Sequence, residues 1–234
     1  MDQIGAIVMM GISHAMTGAV AWSALQLIHP QTTPVLVAGL AVTAGAALIP
    51  DLDHRDSTAS RSLGPLTWVL CRVVQAVSGG HRRATHSLAG CATLAIAVQM
   101  AVQARPGVVG TVATAVLLAV ILASVVHLVP LRAFKRGWLD EILAAVVAIA
   151  LAMWPGLDLA MLGPAVLVGT LVHALGDAIT RQGIPFWWPI SRKNVRLARF
   201  KAGGWTERWV LRPAFVLAIP ALLFWEPVMS FLGR

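Results

Sequence analysis

A small set of ionisable residues stands out against the apolar chain that carries them. His14, Asp51, Asp53, His54, His81, His86, His173 and Asp177 sit at the edges of long hydrophobic stretches or inside them. Hydrocarbon tolerates such groups only where they pair, line a polar cavity or bind something, so each marks a functional site. Imidazoles and carboxylates without thiols are zinc-type ligands, and oxygen-rich variants admit manganese or magnesium. His173 and Asp177 are four residues apart, which on a helix projects both from one face and lets them chelate one ion. An ion that keeps an open coordination position acidifies its water toward about 7, which suits hydrolysis. Imidazole ligands also need an acceptor behind them to fix the tautomer, a role open to Asp53 or Asp56.

Taken singly, each segment has an ordinary reading. His173 and Asp177 could be a polar pair on one helix face. Asp51-Leu52-Asp53-His54 follows Pro50 and could be a solvated turn. Thr85 is a candidate helix cap, and His14 a helix–helix hydrogen bond. Their joint placement favours a metal or catalytic site. His29, beside Pro30, reads as a solvated ring, and His127 as a packing or hydrogen-bonding residue. Asp140 and Glu141 suit a helix N-terminus, with Asp140 a reserve ligand. Cys71 and Cys91 lack metal-type spacing, and no disulfide between them is expected.

The elements that must position these residues follow from composition. Hydrophobic residues make up 58% of the 234, charged residues 12%, and mean hydropathy is +0.77. No formally charged residue occurs between Asp2 and Asp51, and further charge-free runs cover 84–103, 106–131, 142–157, 159–176 and 213–225. A membrane-crossing helix needs roughly 20 apolar residues. The expected fold is therefore all-α: a polytopic transmembrane bundle of seven spans near 8–28, 35–50, 84–104, 108–131, 139–155, 160–180 and 209–231. The polar stretch 51–83 holds a short interfacial helix starting at Pro65. Without repeats or linkers, residues 1–234 read as one membrane-embedded domain. The first stretch lacks a basic leader and is followed directly by a second, so it reads as a retained helix.

Basic residues set the orientation. They cluster after spans two, four and six: Arg55–Arg83, Arg132–Arg136 and Arg181–Arg212. The positive-inside rule places those loops and the N-terminus in the cytoplasm. Asp51–His54, His81–Ser87 and His173–Asp177 then fall on that face, with His14 one or two turns inside. The net charge of +8 would attract nucleic acid only nonspecifically, and a polybasic loop over lipid headgroups explains it equally well.

Several segments together resemble the YdjM-like family of membrane-bound metal-dependent hydrolases. They are Ser13-His14, Leu48 to His54, Gly80 to Ser87, His173 to Thr180, Gly183-Ile184-Pro185 and Trp188-Pro189. The resemblance covers 13–189 and implies a bacterial inner-membrane protein with a metal-dependent hydrolytic activity. More distantly, an early His, an Asp, a Thr-His pair and a His-x-x-x-Asp are similar to zinc-dependent phospholipase C enzymes. Those are all-helical and use a metal cluster on a phosphodiester; this chain has one His-x-x-x-Asp pair where a three-metal cluster would want more.

The expected chemistry is metal-assisted hydrolysis of a lipid-linked or phospholipid-like phosphoester. His14, Asp51, His86, His173 and Asp177 are the expected ligands of a divalent metal, zinc first. Asp53 or His81 would serve as general base or as support for a ligand. Arg82, with Arg83, would face phosphate. Membrane lipids and an anionic, phosphate-containing substrate are the expected partners. The competing class is an ion- or proton-handling transporter or a membrane scaffold, but transport sites lie near the midplane between repeats. A metalloprotease would need His-Glu-x-x-His, which is absent.

Overall fold

Apolar periodicity and length give helix in each of the seven expected stretches. The computed structural model describes residues 3–105, 107–128, 138–154, 157–201 and 203–225. Its α-helices are α1 (Gln3–Leu25), α2 (Thr33–Ala46), α3 (Gly64–Ser78), α4 (Leu88–Gln103), α5 (Val108–Val126), α6 (Trp138–Met153), α7 (Leu162–Ala178) and α8 (Arg212–Leu223). Among the described residues there is no strand, only isolated bridges between Thr180 and Phe200 and between Ile184 and Val195. Among the described residues, three helical segments are long and apolar enough to cross a membrane: Thr33–Asp53, Val108–Val126 and Leu159–Ala178. The apolar helices Leu88–Gln103 and Glu141–Met153 are shorter. The seven-span expectation is thus met only in part: 3-10 turns extend the segments of α2 and α7, whereas a 3-10 turn at Ala84–His86 and a π turn at Glu207–Leu211 take the first residues of the expected spans at 84–104 and 209–231. The basic residues Arg132, Lys135 and Arg136 and the end of the last expected span lie outside the described residues, as do the side chains of Trp138 and Asp140.

Small residues let the central helices approach closely, the usual packing device where hydrocarbon removes the hydrophobic driving force. A Cβ on Gly18 of α1 would lie 2.6 Å from the Thr43 carbonyl oxygen of α2, and one on Gly169 of α7 would meet that oxygen and sit 2.8 Å from the Ala46 Cβ. α2 is therefore clamped between α1 and α7. Trp22 fills the groove over Gly39, and Val42, Leu118, Leu162 and Val166 complete a buried core.

The expected interfacial helix is present as α3, with Pro65 in its first turn. It buries Thr67 and Cys71 and leaves Leu66, Trp68, Val69, Val73 and Val77 exposed, with Arg72 stacked over the Trp68 ring. Gly79, at φ 79°, ends it in the left-handed conformation that glycine adopts freely. Cys71 and Cys91 are buried and free, as expected, and burial pushes the Cys71 thiol up.

Candidate metal centre

The ligand-bearing segments meet at one end of three helices. α2 runs out through Ala46 and continues as a 3-10 turn over Ile49–Asp53. With three residues per turn, Asp51 and Asp53 point in different directions. α7 brings His173 and Asp177 within its last two turns, and the 3-10 turn Ala84–His86 presents His86 just ahead of α4. His14 reaches the same point from α1. Gly176 makes room for it, since a Cβ there would lie 3.1 Å from the His14 ring.

Four ligand atoms converge. His86 Nε2 and His173 Nε2 are 3.1 Å apart. Asp51 Oδ1 lies 3.5 Å from the first and 3.7 Å from the second. Asp177 Oδ2 lies 3.5 and 3.9 Å from the same two nitrogens. Each of these pairs is close enough for its two members to share one ion.

The tautomers agree with that reading. His173 Nδ1 is 2.7 Å from the Ala47 carbonyl oxygen, so it donates there and leaves a lone pair on Nε2. His86 Nδ1 faces Asp53 Oδ2 at 3.4 Å and Thr85 Oγ at 3.0 Å, which turns its Nε2 lone pair the same way. Two imidazole lone pairs thus face each other beside two carboxylates. Asp177 Oδ2 is buried and has no aligned hydrogen-bond donor, although Arg82 Nε lies 3.0 Å away. With the imidazoles neutral, Asp51, Asp53 and Asp177 against Arg82 leave two negative charges (three minus one), the complement of a divalent cation.

Around this cluster the other expected residues take distinct places. His14 Nε2 lies 3.6 Å from Asp177 Oδ1, and its ring packs 4.0 Å from that of His173, so His14, His173 and Asp177 form one group that could hold an ion, and Asp51, Asp53, His81 and His86 form another. Asp53 is fully buried and saturated: His81 Nδ1 is 2.7 Å from Oδ1, while Thr85 Oγ and the Arg82 amide donate to Oδ2 at 2.5 and 3.0 Å. It backs His86 and His81. Asp56, the other candidate for that role, pairs with Arg61 at the surface and takes no part. Thr85 is not the cap of α4; Ser87 is, accepting from the Gly90 amide at 3.0 Å. His54 stacks edge-on against His81, which faces the opening. Arg82 adopts φ 56°, an uncommon conformation for a side-chain-bearing residue, and thereby grips Asp53 with its amide and Asp177 with its guanidinium.

Two cavities flank the cluster. One, of about 460 Å³, has Ser13, His14 and Asp177 at its polar end and Val172, Leu175, Trp205 and Phe215 along its walls. The other, of about 610 Å³, is lined by His81 and by arginines from two segments.

A sequence model of the YdjM inner membrane protein family matches residues 9–231. The chain belongs to that family. No curated protein and no solved structure matches it. Membership makes this YdjM-family chain an inner-membrane protein, and its polar cluster supplies residue groups that could hold a metal ion. Sequence reasoning missed Glu207, which accepts from Ser13 Oγ at 2.5 Å and the Gly203 amide at 2.6 Å beside the apolar cavity. Its signal was present: it is the one carboxylate among the basic residues of 181–212. The Ala47 carbonyl, a backbone group, had no sequence signal.

Proposed function

We propose that the protein is a metal-dependent hydrolase acting on an amphiphilic phosphoester at the cytoplasmic face of the inner membrane. The reading takes residues 1–234 as one seven-span domain with its N-terminus inside, as the basic loops suggest. The observation that carries it is the approach of Asp51 Oδ1 and Asp177 Oδ2 to the facing pair His86 Nε2 and His173 Nε2. His14 adds a fifth donor beside Asp177. Zinc is the preferred ion, with manganese or magnesium as alternatives.

A divalent ion held there supplies Lewis acidity toward a phosphoryl oxygen and acidifies a water. The chain's own groups do the rest. Arg82 offers its guanidinium to developing phosphate charge. Asp53 holds His81 by Nδ1, leaving Nε2 at the opening to give or take a proton. The apolar cavity accepts a lipid tail beside Asp177. Asp51, its side chain 21% exposed, marks the side from which substrate enters.

Elemental analysis of detergent-purified protein tests the reading. Stoichiometric zinc or manganese in the wild type, lost in His173→Ala/Asp177→Ala, supports it, and cleavage of short-chain phospholipids to an alcohol and a phosphomonoester should disappear in parallel. Metal absent from both proteins after incubation with divalent ions would overturn it.

A further inference from the structure

We propose that the arginine-lined cavity beside the cluster binds a second phosphoryl group, so that the substrate carries at least two. The inference rests on the hydrolase reading and names the substrate class of that same site. Five guanidinium groups line this cavity: Arg82, Arg83, Arg181, Arg192 and Arg196. No carboxylate lines it, and among the described residues only Arg82 of the five has an acidic partner, Asp177. Like charges gathered around one concavity repel, and a multivalent anion relieves that cost. Guanidinium also matches phosphate geometry through paired N–H donors.

The cavity is built rather than incidental. Arg181, Arg192 and Arg196 come from an irregular hairpin closed by Ile184 and Val195, whose amide–carbonyl pairs are 3.2 and 2.7 Å. Gly183 turns the chain at φ 64°, and a Cβ there would strike the Val195 carbonyl. Asn194 Nδ2 and Arg196 Nε both donate to the Gln182 carbonyl, at 3.1 and 3.3 Å, and fix the hairpin's mouth. Arg82 and Arg83 enter from the opposite wall, and Arg82 reaches Asp177 of the cluster. Positive-inside residues need only lie on the correct side of the membrane. Here they surround one opening that shares Arg82 with the metal ligands. A single phosphate at the cluster would be served by Arg82 alone, whereas four further arginines suit a second phosphoryl group. That group could belong to a lipid diphosphate or to a phosphorylated headgroup.

The test is calorimetric titration of full-length, chelator-treated protein in zwitterionic detergent with inorganic pyrophosphate and with inorganic phosphate. Saturable pyrophosphate binding, at least tenfold tighter than phosphate, is expected. It should weaken at least tenfold in Arg192→Gln/Arg196→Gln and in Arg83→Gln/Arg181→Gln, and less in Arg192→Lys/Arg196→Lys. A short-chain alkyl diphosphate or a short-chain lipid with a phosphorylated headgroup should displace pyrophosphate, and the better displacer identifies the source. Equal binding of pyrophosphate and phosphate, wild-type affinity in both glutamine variants, or displacement by neither lipid would overturn the proposal. Zinc content of the protein before chelator treatment separates the two readings: zinc present with no anion binding sinks only this inference, and anion binding in a protein that never holds metal sinks the hydrolase reading.

Discussion

At the scale of single residues, the cluster depends on groups that touch no substrate. Asp53 holds His81 and His86 from behind, and acceptors of this kind tune metal affinity by roughly 10–100-fold. Asp53→Asn should therefore weaken zinc binding by about that factor while His173 and Asp177 stay in place, as measured by competition with a chromophoric chelator. Unchanged affinity would mean that Asp53 is merely structural. That His14, Asp51, His86, His173 and Asp177 gather in one place was legible in the sequence because an ionisable group in an apolar stretch needs a reason to be there. The division of labour was not. Thr85 could cap a helix or bond an acid, and only the approach of Asp53 across 32 residues decides. Asp53 and Asp56 looked equivalent until the 3-10 turn buried one and left the other at the surface with Arg61.

Among elements, helix proximity is the controlling quantity. Gly18 and Gly169 bring α1 and α7 onto the Thr43 carbonyl of α2, and the ligands converge because those backbones touch. Gly169→Leu should push α7 from α2, lower the thermal midpoint and abolish stoichiometric zinc. Gly176→Val, opposite the His14 ring, should disturb His14 more than the four converging atoms, so zinc should bind more weakly but still bind. Ser87→Ala offers a contrast: it removes the cap of α4 and should cost about 1 kcal/mol of stability, with zinc content kept. Differential scanning fluorimetry beside elemental analysis reads all three. Apolar runs revealed these elements, but their ends were displaced wherever a 3-10 or π turn took over, since local hydrogen-bond pattern leaves no trace in hydropathy.

For the whole molecule, a buried cluster with two surplus negative charges is costly until a cation balances it. Chelation should therefore lower the thermal midpoint by several degrees, following the roughly 2.7 kcal/mol that a ligand at a hundred times its Kd contributes. A midpoint indifferent to chelator and added zinc would contradict this. Orientation is testable by cysteine labelling, because the native thiols Cys71 and Cys91 are buried. Cysteines placed at Arg61 and Lys193 should react with an impermeant maleimide in inverted vesicles and not in intact spheroplasts. The basic loops and membrane character were readable from charge and hydropathy. The two cavities were not, since one arises where α8 and residues 200–207 cover α1 and α7, and the other where the hairpin after α7 meets His81–Arg83.

The spread of the ligands along the chain carries one more consequence, for biogenesis. His14 and Asp177 are 163 positions apart (177 minus 14). A nascent chain owns the complete set only once α7 has been made. The carboxylates of Asp51 and Asp53 must therefore wait, partly uncompensated, while α4 to α7 are inserted. On the proposed metal-site reading, only a chain whose seventh helix has docked against its first can close the cluster, so metal loading would report the docking of α7 on α1.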